Sequence, residues 1–265
     1  MIDHVKIAQA LVDARRHDAV LDAYPGAMPA SLAEAYRIQD EAIAYAGRPI
    51  GGWKLGRIRQ PEATQFGAER LAGPIFRDSI TTAGDPSPVT VQVLTGFAAV
   101  EAEVLLRLSA TPPADLSTED APAFVDAVRF GIEVASSPFV GINQNGPAVT
   151  VSDFGNNFGL VVGPLIPDAK SPGALDRPAI LAIDDVVVGT GLLADMLDGP
   201  FGSLAFLARL MGARGRQLEP GQWVTTGAIT GVHPIRQGQR VRATFGDDLA
   251  VECSAIPALL EEGAR

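Results

Sequence analysis

The sequence predicts an α+β fold in which a small helical N-terminal region packs on a larger β-rich core. Over residues 3–46, apolar side chains recur mostly at helical spacings. From about residue 50, short β-branched runs are separated by Gly, Pro and Asp. We assign 1–80 to the helical region and 81–265 to the core. No low-complexity tract or long linker separates them, so we expect the two parts to pack tightly.

Two N-terminal helices are predicted, over 3–23 and 31–46. The second has the clearer boundaries, because Ser31 and Glu34 form a capping box at its start and Gly47 follows its end.

The remainder of the chain predicts strands interrupted by two helical insertions. The predicted strands are 88–95, 99–108, 148–152, 159–163, 179–188, 222–230 and 240–253. The insertions are predicted at 117–129 and 202–214, where apolar residues return to helical spacing.

Composition excludes several classes of function. With 21 Lys and Arg against 31 Asp and Glu, the net charge is −10, and no basic run is present, so nucleic acid and anionic membrane surfaces are poor partners. No apolar run reaches the length of a membrane span, and the charged N-terminus does not resemble a signal peptide. We therefore expect a cytoplasmic protein.

Cysteine and histidine content limits the metal chemistry. Cys253 is the only cysteine, and the three histidines are scattered, which excludes a disulfide framework and a thiolate zinc site. A metal ion in this protein would need oxygen ligands.

Three glutamates lie within apolar strand-like runs. Glu101 and Glu103 are two residues apart, so on a strand they share one face about 6.6 Å apart, while their apolar neighbours occupy the other. Glu133 lies in a second apolar run. If the two strands are neighbours, three carboxylates converge, and Mg²⁺ or Mn²⁺ would relieve their repulsion. Such a pattern is also typical of the solvated face of a half-exposed sheet, and the residues alone leave both interpretations open.

Other candidates are weaker by spacing alone. Lys54 lies in an apolar, glycine-flanked segment, where spacing alone favours a turn with a solvated or snorkelling lysine. Asp78 and Asp153 are typical of turns and caps. Thr226 and Gly227, at the end of a predicted strand, present either a hydroxyl and an amide to a bound carboxylate or only a turn.

Taken together, these motifs resemble the fumarylacetoacetate hydrolase superfamily, in particular its 2-keto-4-pentenoate hydratase and 4-oxalocrotonate decarboxylase branch. The similar segments, in order, are the N-terminal helix pair with Tyr24-Pro25-Gly26 and 32–39, the lysine motif 52–56, the metal motif 100–103 with 132–134, and the C-terminal segments 182–191, 204–208 and 224–228.

The resemblance implies a mixed β-roll or distorted barrel core. It also implies a divalent ion, Mg²⁺ or Mn²⁺, that is held by Glu101, Glu103 and Glu133 and chelates a small 2-oxo acid substrate.

The resemblance assigns roles to further residues. Lys54, Asp78 and Asp153 would be catalytic, as acid, base or orienting groups. Thr226 would bind the substrate carboxylate, and Leu55 and Gly227 would belong to the same substrate site.

The expected reaction is hydration of a 2-hydroxypenta-2,4-dienoate-type acid, as in aromatic catabolism. Decarboxylation of a 4-oxalocrotonate-type acid and a catalytically silent homologue are the alternatives. A hydrolase that cleaves a C–C bond ranks last. A homo-oligomer is expected, and a complex with a decarboxylase or aldolase partner would also fit the resemblance.

The sequence departs from the family pattern close to the implied site. Ala135-Ser136-Ser137-Pro138 lacks the expected Asp and Arg, and Phe154 and Asn156 replace an Asn and a Ser. Arg57-Ile58-Arg59 stands where small hydroxylic residues are usual. The resemblance therefore implies a conserved type of metal site with an altered substrate pocket.

Overall fold

Two sheets and a set of peripheral helices make up the chain. A computed structural model describes residues 3–84, 89–171 and 173–259. The helices are α1 (His4–Arg16), α2 (Leu32–Ala46), α3 (Glu62–Phe66), α4 (Gly146–Ser152) and α5 (Gly199–Ala213). The strands are β1 (Ile50–Arg57), β2 (Arg70–Phe76), β3 (Ile80–Thr82), β4 (Val89–Val93), β5 (Phe97–Leu108), β6 (Val125–Ser137), β7 (Asn157–Leu165), β8 (Pro178–Ile183), β9 (Val186–Leu192), β10 (Trp223–Thr225), β11 (His233–Pro234), β12 (Arg240–Phe245) and β13 (Leu249–Pro257). The predicted α+β class is confirmed.

The larger sheet is built around the long antiparallel pair β5 and β6. Its strand order is β2-β1-β10-β5-β6-β7-β3, and β11 also pairs with β5. The smaller sheet has the order β4-β13-β12-β8-β9. The sheets pack against each other through their apolar faces, where the rings of Phe130 and Phe245 stack with centroids 5.3 Å apart. This core holds β5 and β6 rigidly from one side.

The N-terminal helices α1 and α2 pack against the segment that connects β6 to β7. Ile7 and Leu11 of α1 and Ile38 of α2 form a cluster with Phe139 and Phe154. The predicted helix 31–46 is confirmed, and its Ser31 hydroxyl caps Glu34 N–H as expected. Strands β1 and β2 lie before residue 80 and belong to the larger sheet. The domain boundary placed at residue 80 stays a prediction.

Three predicted elements are wrong in type or extent. The helix predicted at 117–129 is a single 3₁₀ turn followed by β6, because pairing with β5 along its length overrides local helical spacing. The strand predicted at 148–152 is α4, since a short apolar run does not distinguish a buried helix from a strand. The first helix, predicted to residue 23, ends at Arg16.

Other predicted strands are shorter or divided. Of 222–230, only β10 joins the sheet, and Gly227 adopts φ 112° beyond it. The run 179–188 is a hairpin of β8 and β9, with Asp184 and Asp185 both at positive φ, as a tight two-residue turn requires. Similarly, 240–253 divides into β12 and β13.

The remaining predictions agree with the structure. Strands β4, β5 and β7 lie at the predicted 88–95, 99–108 and 159–163, although residue 88 is outside the described residues. Helix α5 lies at the predicted insertion 202–214.

None of the helices in the described part of the chain combines the length and apolar character that a membrane crossing requires.

One buried ion pair ties α1 to the loop before β7. Arg15 Nε donates to Asp153 Oδ1 at 2.5 Å, and the same guanidinium donates to the carbonyl oxygens of Ser136 and Asn157. Both charged side chains are almost fully buried. The pair therefore fixes helix α1 against the segment that leads into β7.

We predict that Arg15→Ala lowers the free energy of unfolding by about 3 kcal/mol or more, because it leaves the Asp153 carboxylate buried without its cation. Urea unfolding followed by circular dichroism measures the change. The matched control is Lys6→Ala, which removes a cation from an exposed pair with Asp3 on the same helix and should change stability little. Equal effects of the two variants would contradict the structural role of Arg15.

Candidate metal and substrate site

The three glutamates predicted as metal ligands lie together at the centre of the larger sheet. Glu101 and Glu103 of β5 share a face, and Glu133 of β6 is the direct register partner of Glu101. One carboxylate oxygen from each residue lies within 4.8 Å of the others. All three are buried, because Val100, Ala102 and Val104 anchor the opposite face of β5 in the core. The structure thus satisfies the condition that the two glutamate strands be neighbours.

Burial and mutual repulsion disfavour ionisation of these carboxyl groups. Burial raises the pKa of Glu101 to about 7, with Lys54 acting in the opposite direction and Glu133 adding to the increase. Burial, reinforced by Glu133 and Glu101, raises the pKa of Glu103 well above its usual value. The protein itself therefore supplies too little positive charge to favour the ionised form of all three carboxyl groups.

Lys54 is the cation that faces this cluster. Strand β1 places its Nζ atom 3.3 Å from Glu133 Oε1, with both side chains buried. Burial lowers the pKa of Lys54, but the carboxylates of Glu133, Glu101 and Glu103 raise it by more, so the net shift is upwards. Lys54 is thus an ammonium group, and one positive charge faces three acidic groups.

Hydrogen bonds from neighbouring elements orient the carboxylates. Asn157 Nδ2 donates to Glu133 Oε1 at 3.0 Å, and the Thr225 hydroxyl donates to Glu133 Oε2 at 3.1 Å. The Gly227 amide donates to Glu103 Oε2 at 2.6 Å. Glu103 Oε1 is buried and has no hydrogen-bond partner among the described residues.

These features fit a hard divalent cation. Mg²⁺ and Mn²⁺ prefer carboxylate oxygens, and a cation would neutralise the repulsion and engage the unpartnered Glu103 Oε1. The side chains of Lys54, Thr225 and Asn157 would hold the carboxylate ligands in place, as surrounding hydrogen bonds do in metal sites.

A cavity of about 700 Å³ opens beside the cluster. Its lining includes Lys54, Leu55, Glu101, Thr226 and Gly227, so five residues predicted for the site meet there. Its apolar lining includes Ile58, Leu71, Pro147, Met196, Ile229 and Val232. A volume of this size accommodates a small organic acid with room to spare.

The Thr226 hydroxyl makes a contact that the sequence did not indicate. It donates to the Val104 carbonyl oxygen at 2.9 Å, within the sheet. Its proton is therefore engaged, and the predicted hydrogen bond from Thr226 to a substrate carboxylate stays a prediction. Thr225, the preceding residue, is the one whose hydroxyl reaches a glutamate.

Asp78 and Asp153, predicted as catalytic, are not brought to this cavity. Asp78 lies in the 3₁₀ turn after β2 and forms an exposed ion pair with Arg48, at 2.6 Å. The Asp153 carboxylate accepts hydrogen bonds from Arg15 of α1 and from the hydroxyl of Ser137, at the end of β6. Neither aspartate is among the residues that line the cavity.

Sequence reasoning missed several polar residues of the site. Asn157 was outside every motif that we interpreted as functional, and Thr225 was passed over for its neighbour. Asn143 lines the cavity from the segment before α4, and no periodic pattern marks such a loop residue. Asn156 also lines the cavity, and the sequence indicated it only as a departure from the family pattern. Asn156 is nearly fully buried, and its Oδ1 has no donor among the described residues.

Comparison with known proteins shows which proteins this chain resembles. A family model described as "Fumarylacetoacetate (FAA) hydrolase C-terminal" matches residues 64–262. A 2-oxo-hept-4-ene-1,7-dioate hydratase of Escherichia coli is 25% identical, over 96% of this chain and 98% of that protein.

Solved structures show the same fold. The 4-oxalocrotonate decarboxylase of Pseudomonas putida G7, complexed with magnesium and adipate, is 22% identical with a TM-score of 0.78, over 96% of this chain and 97% of that one. The fumarylpyruvate hydrolase of Pseudomonas aeruginosa, in complex with Mn²⁺ and pyruvate, is 17% identical with a TM-score of 0.56, over 78% of this chain and 89% of that one. Because the family model matches residues 64–262, which is most of the chain, this chain belongs to the fumarylacetoacetate hydrolase family.

Proposed function

We propose that this protein is a divalent-metal-dependent lyase that acts on a small 2-oxo or 2-hydroxy-dienoic acid. The observation that carries the proposal is the buried cluster of three carboxylates, countered by one lysine, beside a cavity sized for such an acid. We place hydration of a 2-hydroxypenta-2,4-dienoate-type substrate to a 4-hydroxy-2-oxo acid first. The similarity to a hydratase over almost the whole chain supports that choice.

Glu101, Glu103 and Glu133 would hold the metal ion, with Mg²⁺ or Mn²⁺ as the candidates. Relatives of the same fold have been solved with magnesium, calcium or Mn²⁺. Such an ion supplies Lewis-acid polarisation of the carboxylate and 2-oxo oxygens of a bound acid.

The protein's own groups would bind and orient the substrate. Lys54 lines the cavity as an ammonium, so it donates hydrogen bonds to the oxygen that gains negative charge as the enolate develops. The buried segment around Leu55 and Gly227 forms the wall beside this oxygen and limits access of bulk water. Asn157 and Thr225 keep Glu133 in a fixed orientation and are positioning residues.

Hydration adds a proton to two carbon atoms of the substrate, first C5 and then C3. The 2-hydroxydienoate loses its hydroxyl proton and gains one at C5, which gives a 2-oxo-3-enoate. Water then delivers hydroxide to C4 and a proton to C3. We assign to Lys54 the donation of a proton to carbon, which its ammonium group can make, because Asp78 and Asp153 lie outside the cavity lining; the hydroxyl proton leaves to solvent.

Decarboxylation of a 4-oxalocrotonate-type acid is the second candidate. The carboxylate that is lost as CO₂ is attached to the carbon γ to the 2-oxo group. The electron pair of the broken bond passes through the intervening C=C bond to the ketone oxygen, which gives a dienolate and needs no activated water. The absence of Asp78 and Asp153 from the cavity lining is the observation that keeps this reaction as a candidate beside hydration, since it needs no base to activate water. A catalytically silent homologue that binds a small acid is the third candidate, because the pocket departs from the family pattern.

Assembly and location also remain proposals. We propose a homo-oligomer in the cytoplasm, and a complex with a decarboxylase or aldolase partner would suit the proposed reaction.

We predict that Glu101→Gln abolishes metal-dependent turnover and stabilises the metal-free protein by about 1–2 kcal/mol, because it removes one of three crowded carboxylates. Thermal melting in chelator and in excess Mg²⁺ measures both effects. The wild type should gain about 2.7 kcal/mol at a Mg²⁺ concentration of 100 times Kd, and the variant far less. Glu41→Gln, on the exposed surface of α2, is the matched control. Full activity in Glu101→Gln would contradict the metal role.

Lys54→Met should have the opposite effect on the metal-free protein. The variant keeps the length of the side chain but leaves the carboxylates without a cation, so we expect a loss of about 3 kcal/mol in chelator that Mg²⁺ largely restores. With Mg²⁺ bound, kcat should fall by about 10²-fold or more. Lys6→Met, at an exposed position, controls for loss of a lysine. Unchanged kcat in Lys54→Met would exclude Lys54 from catalysis.

Calorimetric titration with oxalate, a mimic of the enolate of a 2-oxo acid, tests the site directly. We expect oxalate to bind with Mg²⁺ or Mn²⁺, not in chelator, and not to Glu133→Gln. No binding under any condition would contradict the metal-dependent site.

The reaction is then identified with 2-hydroxypenta-2,4-dienoate and 4-oxalocrotonate as separate substrates. Loss of dienoate absorbance with formation of a 4-hydroxy-2-oxo acid indicates hydration, whereas release of CO₂ indicates decarboxylation. Oxalate binding without either reaction favours the silent homologue.

A further inference from the structure

Two arginines stand at the mouth of the cavity without partners. Arg57 and Arg59 both line the cavity and are both exposed to solvent. Among the residues that the structure describes, neither side chain has an ion-pair or hydrogen-bond partner. Other exposed arginines are of both kinds: Arg48 pairs with Asp78 and Arg107 with Asp126, whereas Arg37, Arg77 and Arg236 also have no side-chain partner among the described residues. Of the unpaired exposed arginines in the described part of the chain, Arg57 and Arg59 are the two that line this cavity.

Local structure holds the two guanidinium groups on one side. Ile58, between them, is buried, and its amide donates to the Glu69 carbonyl oxygen at 2.8 Å, which continues the pairing of β1 with β2 beyond Arg57. Residues two apart on such an extended segment point the same way. The segment therefore presents a pair of cations rather than two unrelated ones.

The other charged residues that line the cavity do not neutralise Arg57 and Arg59. Lys54 faces the glutamate cluster, and Arg70 donates to the Leu197 carbonyl oxygen and pairs with Asp198. Glu62 and Asp195 also line the cavity, but neither lies within ion-pair distance of Arg57 or Arg59 in the described structure. The mouth thus has cationic donors that no protein carboxylate engages.

The cavity between the cluster and the mouth is suited to a carbon chain. Leu71, Pro147 and Met196 contribute apolar surface there. A volume of about 700 Å³ exceeds what a five-carbon monocarboxylic acid needs. A ligand that used the whole cavity would have one polar end at the glutamates, an apolar middle and a second polar end at the arginines.

We infer that Arg57 and Arg59 bind a second carboxylate at the end of the substrate remote from its 2-oxo acid group, and so select dicarboxylic acids. Of the two substrate types proposed above, this selection favours the 4-oxalocrotonate-type acid over 2-hydroxypenta-2,4-dienoate. The guanidinium group offers paired donors that match a carboxylate, which makes arginine suited to this role. The inference rests on the proposed function, because the 2-oxo acid end of the substrate must be held at the metal site for its far end to reach the mouth.

The test compares two ligands that differ only at the far end. 2-Oxoadipate and 2-oxohexanoate share the same chelating group and chain length, but only the first ends in a carboxylate. In Mg²⁺, the wild type should bind 2-oxoadipate about tenfold more tightly by calorimetry, as expected for charge-assisted hydrogen bonds at an exposed site. The double variant Arg57→Gln/Arg59→Gln should lose this preference, while its Kd for 2-oxohexanoate stays unchanged. The preference should also decrease as salt concentration rises.

Arg37→Gln, which removes an exposed arginine from α2 outside the cavity lining, is the control and should retain the tenfold preference. Equal binding of both acids by the wild type would overturn the arginine assignment and leave the metal-dependent function standing. Equal weakening of both acids in the double variant would also overturn it. If neither acid binds in Mg²⁺, the proposed function fails, and the arginine assignment fails with it.

Discussion

The pairing of β5 with β6 is the constraint on which the rest of the site depends. It places Glu133 opposite Glu101 in the centre of a sheet whose other face is sealed by the core. Carboxyl groups in this position cannot escape to water, and a single lysine does not balance them. The fold therefore crowds three carboxyl groups in a buried setting, where a divalent cation would stabilise their ionised forms.

The elements around this pair act as supports for that charge. Strand β1 supplies the Lys54 ammonium, β10 supplies the Thr225 hydroxyl, and the start of β7 supplies the Asn157 amide. Each is a neighbour of the β5–β6 pair in the sheet or next to one. Helix α1 contributes from a distance, because Arg15 fixes the segment from Asp153 to Asn157. The contacts of Arg15 therefore stabilise the fold and also fix the segment 153–157, which carries Asn157 to Glu133.

The segments that depart from the family pattern differ in how they affect the pocket. Asp153 retains a partner, but that partner is Arg15, so the residue supports the structure instead of facing the cavity. Asn156 brings a buried amide to the cavity wall, and Arg57 and Arg59 bring charge to its mouth. The three glutamates proposed as metal ligands thus keep the pattern that the sequence shares with the family, while Asn156, Arg57 and Arg59 depart from it.

The sequence by itself determined the class of fold, the helix 31–46 and the candidate glutamates, because these depend on periodicity within one segment. It did not determine the hairpin turns, the helical state of 146–152 or the strand at 125–137, since pairing between distant segments decides them. Only the tertiary structure separated Lys54, which faces the glutamates, from Asp78 and Asp153, which do not. The direction of a side chain in a loop depends on its partners, such as Arg48 and Arg15, and no local pattern encodes those contacts.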